Sequence, residues 1–81
     1  MQINIRKSAI KDLKKIDVST RNKLHQKILS LEKFPSIAHI KKLTNFEPAY
    51  RLRVGDYRIL FDVSDDSIEV GRVLHRKDCY T

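Results

Sequence analysis

What this chain of 81 residues has little of narrows its chemistry first. A single cysteine, Cys79, excludes an internal disulfide and offers no cysteine spacing that would hold a metal. The three histidines, His25, His39 and His75, lie far apart along the chain and read as surface residues rather than ligands, so no metal is expected. With only two glycines there is no glycine-rich loop to cradle a nucleotide phosphate, and no cofactor is expected. No apolar run approaches a membrane span, and the amino terminus lacks the apolar core of a signal peptide. The expected setting is the cytoplasm, with no membrane partner. Paired carboxylates for acid–base work are missing from the cationic face described below, and no Ser/His/Asp or Cys/His arrangement is evident. Most hydrolase chemistries are thereby excluded.

Positive charge is what the chain has in excess. Lys and Arg number 17 against 10 Asp and Glu, a formal charge of +7. A polyanion is the first partner to consider, with nucleic acid ahead of an anionic membrane because no long amphipathic segment is present for insertion. Hydrophobic residues at 41% and charged residues at 33% fit a folded chain rather than a disordered one. The length suffices for one core and not for two, so residues 1–81 read as a single small domain.

Residues 50–63, YRLRVGDYRILFDV, organise the rest. Two alternating runs flank Gly55-Asp56, which suits a two-residue turn with glycine at its first central position. The resulting hairpin pairs Val54 with Tyr57, Arg53 with Arg58, Leu52 with Ile59 and Arg51 with Leu60. One face then carries Tyr50, Leu52, Val54, Tyr57, Ile59, Phe61 and Val63, and the other carries Arg51, Arg53 and Arg58. Directly opposed like charges destabilise a sheet by about 0.2–1 kcal/mol per pair. Two readings remain for the arginine face: a solvated sheet surface, or a surface that an anionic partner covers.

Upstream, Gln2-Ile3-Asn4-Ile5 alternates as a short strand. Ser8 suits the N-cap of a helix through residue 16 with a stripe of Ala9, Ile10, Leu13 and Ile16; a second helix over residues 20–34 carries Leu24, Ile28 and Leu31 and stops at Pro35. The short link makes these an antiparallel pair covering one face of the sheet. Residues 36–49 are irregular; Lys41-Lys42 reads as a basic edge of the binding face or as solvated loop, and Pro48 leads into the hairpin. Downstream, Ser64-Asp65-Asp66-Ser67 turns the chain into a last strand over residues 68–74. That strand pairs Val63 with Ile68 and Phe61 with Val70, and it sets Arg72 opposite Ile59 on the core face. A buried arginine there needs a carboxylate or an exit to solvent. Leu60 and Val73 fall on the arginine face, giving a groove with an apolar floor and charged walls. The expected architecture is α+β, β-α-α-β-β-β, an antiparallel-rich sheet with a two-helix hairpin on one face.

The tail His75-Arg76-Lys77-Asp78-Cys79-Tyr80-Thr81 adds cations beside the hairpin. Guanidinium groups hold phosphate oxygens bidentately and stabilise charge developing on a phosphorane, while RNA carries its own nucleophile in the 2′-hydroxyl. YRLRVGDYRILFDV followed by a strand ending GRVLHRKDCY resembles the RelE/ParE superfamily of toxins from type II toxin–antitoxin systems, over nearly the whole chain. The resemblance implies a ribosome-dependent mRNA endoribonuclease that leaves a 2′,3′-cyclic phosphate, with Arg51, Arg53, Arg58, Arg76 and Tyr80 at the catalytic positions. It also implies a cognate antitoxin protein as partner. Lys41, Lys42, His75 and Lys77 are the candidate RNA contacts. Arg51 and Arg53 stand where some members have lysines, and arginine cannot act as a base, which leaves Tyr80 or His75 for that role. The string from Arg72 to Asp78 also resembles the gyrase-directed ParE branch, which lacks ribonuclease activity, and the cationic face also fits a basic RNA-binding module without activity; Tyr80 favours the ribonuclease. With its end at Thr81, the chain is expected to lack a carboxy-terminal helix.

Overall fold

Ile3 and Ile5 give strand β1 (Gln2–Ile5) its inward side in the computed structural model, which describes residues 2–37, 39–43 and 49–79. Helix α1 (Lys7–Lys14) buries Ala9 and Leu13, with Ile16 just past its end, but Ile10 is 41% exposed and drops out of the expected stripe. Ser8 is not the N-cap. Arg6 holds that position, and the Ser8 hydroxyl donates to the Gly71 carbonyl at 2.6 Å, a bond that ties the helix to the sheet instead of satisfying its own first turn. Helix α2 (Val18–Ser30) begins two residues earlier than expected because Asp17 caps it, accepting from the Thr20 N–H at 3.1 Å. Leu24 and Ile28 are buried as expected, and a 3₁₀ turn, Leu31–Lys33, replaces the last turn of the expected helix and buries Leu31.

Strand β2 (Ile40–Lys42) occupies part of the stretch read as irregular. Three residues carry too little alternation to stand out, and β2 exists by pairing with β3 (Tyr50–Val54). Strands β3 and β4 (Tyr57–Ser64) form the hairpin in the expected register, Arg53 opposite Arg58 and Leu52 opposite Ile59. Gly55 closes it at φ +57°, a conformation that a side chain would strain. Strand β5 (Ser67–His75) follows, and a single helical turn, α3 (Arg76–Cys79), forms where the tail was expected to carry none. Pro48 lies outside the described residues.

The sheet order is β1-β5-β4-β3-β2, antiparallel throughout except for β1, which runs parallel to β5. The α+β class holds, with β2 and α3 added to the expected order. Both long helices cover one face, where Leu24 and Ile28 meet Leu52, Ile59, Phe61 and Val70. Phe34 approaches Tyr50 and Phe61 edge-on at 5.1 and 6.0 Å between centroids, and Tyr50 stacks on Phe61 at 5.5 Å. Each fully buried side chain of this size contributes about 1.5–3 kcal/mol. Among the described residues no helix is long and apolar enough to cross a membrane.

Strand β5 departs from the expected register at one point. Val63 pairs with Ile68 and Phe61 with Val70, but a bulge then shifts the pairing, so Val73 rather than Arg72 stands opposite Ile59. Gly71 is the extra residue. Val73 is consequently 2% exposed in the core instead of forming part of a groove floor, and Leu74 takes its place opposite Arg58. Arg72 is carried out of the core to a carboxylate on α1.

Candidate nucleic-acid interface

On the sheet face away from the helices, cross-strand pairing lines up side chains in rows. Lys41, Arg51 and Leu60 make one row, and Arg53, Arg58 and Leu74 the next. His39 extends the second row, because the Arg53 N–H donates to the His39 carbonyl at 3.1 Å, one step beyond the Ile40–Leu52 pair. Lys42 stands opposite Tyr50 and therefore lies on the other face.

Arg58 is the most withdrawn of these cations, at 8% exposure. Its Nη1 donates to the carbonyls of Gly55 at 2.8 Å and Tyr57 at 2.9 Å, which fixes the guanidinium against the turn. Its Nε is buried without a hydrogen-bond partner among the described residues. A buried donor in that state costs about 1–3 kcal/mol, more when charged, until an acceptor reaches it. Arg53, Arg58 and Arg76 line a single cavity of about 460 Å³, together with Lys27 and His39, and among the described residues no carboxylate lines it. Arg76 reaches the cavity because its N–H donates to the Asp56 carbonyl at 2.7 Å, holding the start of α3 against the hairpin turn. Its Nε stands 3.7 Å from the Asp56 carboxylate, and both side chains are more than half exposed, so that pair restrains it little.

A second cavity of about 380 Å³ has a different character. Asp12, Lys15, Arg72, His75 and Asp78 line it, with Tyr57 and Ile16. Asp12 accepts from Arg72 Nε at 2.8 Å, Arg72 Nη2 at 3.1 Å and the Val73 N–H at 2.9 Å. Burial acts to raise the Asp12 pKa, but the Arg72 and Val73 hydrogen bonds and the Arg72 and Lys15 charges outweigh it and hold the carboxyl below its ordinary value. His75 packs edge-on against Tyr57 at 5.4 Å and its Nδ1 accepts from the Lys77 N–H at 3.2 Å.

A family described as "ParE toxin of type II toxin-antitoxin system, parDE" matches residues 3–80. The chain belongs to the RelE/ParE superfamily of toxins. It is 36% identical over 84 residues to toxin RelE3 of Methanocaldococcus jannaschii, covering 99% of this chain and 96% of that one. Its fold is similar to a chain of the RelB–RelE antitoxin–toxin complex from Methanococcus jannaschii, with 33% identity, a TM-score of 0.76, and coverage of 94% and 93%. A chain of the toxin–antitoxin complex RelBE2 from Mycobacterium tuberculosis gives 25% identity, a TM-score of 0.79, and coverage of 93% and 96%.

Of the positions that the RelE/ParE resemblance marks, the fold brings Arg53, Arg58 and Arg76 into one cavity, with Arg51 half-buried on the same face. Lys41 shares that face, whereas Lys42, Lys77 and His75 do not line the cavity, and Tyr80 lies outside the described residues. His75 stands with Tyr57 in the other cavity, away from Arg53 and Arg58. Lys27 and His39 join the arginines and were not legible as site residues. Lys27 sits among polar positions of α2, and His39 precedes a strand too short to recognise, so neither carries a periodic signal.

Proposed function

We propose that this toxin is a ribosome-dependent mRNA endoribonuclease acting in the cytoplasm as a single domain spanning residues 1–81, and that it cleaves by attack of the RNA 2′-hydroxyl on the adjacent phosphate. The observation that carries the reading is the cavity holding Arg53, Arg58 and Arg76, whose described lining includes no carboxylate and in which the Nε–H of the buried Arg58 has no hydrogen-bond partner among the described residues. Preorganised cations of this kind are worth most where charge accumulates in the transition state, because the site need not reorganise to meet it. Positioning the 2′-hydroxyl in line with the scissile bond supplies much of the rest. Arg51 and Lys41, beside the cavity on the same face, would hold the flanking phosphates. The relatives from M. jannaschii and M. tuberculosis were solved in toxin–antitoxin complexes. An antitoxin segment carrying acidic and apolar residues suits this same face, and co-expression with the neighbouring reading frames should yield a stable complex.

The test is cleavage of mRNA on programmed ribosomes, with product ends identified. The parent should leave a 2′,3′-cyclic phosphate, and Arg58→Ala should lose about 10²–10³ in rate. The ParE description of the matching family favours a second reading, a gyrase inhibitor without ribonuclease activity. Intact mRNA together with gyrase-dependent DNA breaks would establish that reading and turn the arginines into a binding surface.

A further inference from the structure

We infer that His39 is the proton acceptor for the attacking 2′-hydroxyl, an inference that rests on the ribonuclease reading above. The reaction needs a group with a free lone pair near neutral pH. Lys27 from α2, Arg53 from β3, Arg58 from β4 and Arg76 from α3 all face this cavity, and lysine and arginine side chains are cations at that pH with no lone pair to offer. Ile37, Leu52, Val54 and Gly55 are the other described residues of the wall. Among the described residues lining the cavity, His39 is the one imidazole, and histidine is the side chain that changes protonation between about pH 5 and 8.

Placement supports the same role. The His39 carbonyl accepts from the Arg53 N–H, which sets His39 one strand from Arg53 and two from Arg58 in a single row. With strands spaced about 4.8 Å apart, roughly 10 Å separates the backbones of His39 and Arg58. An imidazole and a guanidinium reaching in from the two sides can bracket a ribose hydroxyl and its 3′-phosphate. His39 is also exposed at φ +68°, a left-handed backbone uncommon for residues other than glycine and one that recurs at functional sites. In the step itself the neutral imidazole takes the 2′-hydroxyl proton and the 2′-oxygen bonds to phosphorus. The bond from phosphorus to the next 5′-oxygen breaks, and that oxygen takes a proton from water. The imidazolium then returns its proton to solvent, leaving a 2′,3′-cyclic phosphate and a 5′-hydroxyl.

His39→Asn removes the base while keeping a residue that tolerates the left-handed backbone, and His39→Gly suits that backbone without strain. Ribosomal cleavage by the parent should rise with pH, as general-base catalysis requires the unprotonated base. Both variants should lose about 10²–10⁴ in rate and flatten that rise, with melting temperature and RNA affinity retained. Added imidazole should restore part of the rate of His39→Gly. If the parent cleaves and either folded variant keeps its rate and pH profile, the inference is overturned and the ribonuclease reading stands. Tyr80→Phe, measured alongside, then tests the tyrosine. A parent that leaves mRNA intact overturns the ribonuclease reading, and the role of His39 goes with it.

Discussion

The two cavities of this toxin put arginine to opposite uses. In one, Arg72 is held by both oxygens of Asp12 while the same carboxylate takes the Val73 N–H, so its charge is matched by a partner and serves to fasten α1 to β5. In the other, Arg53, Arg58 and Arg76 converge with Lys27, and no carboxylate among the described residues enters the wall. Among the described residues Arg58 there is tied down by two neutral carbonyls, which orient its guanidinium without supplying a countercharge. The contrast teaches that being an arginine, or being buried, does not mark a binding residue. What sets Arg58 apart as a candidate is a fixed guanidinium that no described carboxylate meets, since such a group gains most from an incoming phosphate.

The largest effect that sharpens this comparison is expected at Arg58. Arg58→Ala should cost both the rate loss given above and about 1–3 kcal/mol of stability through its two carbonyl bonds. Arg58→Lys separates the effects: it keeps charge without the planar fork, so denaturant unfolding should change less than cleavage does. If both fall together, Arg58 acts through the fold and the comparison breaks.

At the other cavity the ordering reverses. Asp12→Ala should destabilise by about 1–3 kcal/mol, toward the low end because Arg72 is half exposed, with cleavage by the folded fraction unchanged. The Asp12 carboxyl has a folded pKa below its ordinary 3.8, so its contribution is fully present above that value and disappears as the pH falls through the lower, folded one. Unfolding midpoints of parent and Asp12→Asn followed by acid titration should therefore converge below about pH 4.

A smaller change is expected from Arg53→Ala. The salt dependence of RNA binding should lose about 0.7–0.9 in slope for the one phosphate contact removed, while stability holds or rises slightly as the opposed Arg58 loses a like-charged neighbour. An unchanged slope would remove Arg53 from the interface.

The smallest contrast lies between the two glycines. Gly55→Ala should cost about 1 kcal/mol or more although open space surrounds the site, because φ is +57°. Gly71→Ala, whose added Cβ meets the Leu60 carbonyl at 3.8 Å, should stay within about 0.5 kcal/mol by thermal unfolding.

The chain's own pattern determined the hairpin, its register, the segregation of its arginines onto one face and the helical pair over the other. All of these follow from period-two and period-3.6 alternation around one glycine turn, physics that acts between residues near in sequence. Four features depended on contacts across the fold. Ser8 bonds Gly71 instead of capping its helix, the bulge at Gly71 exchanges Arg72 for Val73 in the core, β2 forms on the edge of β3, and α3 is held by Asp56. Lys27 and His39 become candidate site residues only through that assembly, since nothing in their local sequence distinguishes a solvated cation or imidazole from one facing a buried guanidinium. A local pattern encodes which face a side chain takes; whether its charge is matched depends on a partner that folding brings from elsewhere in the chain, as Asp12 reaches Arg72 while no carboxylate among the described residues reaches the wall around Arg58.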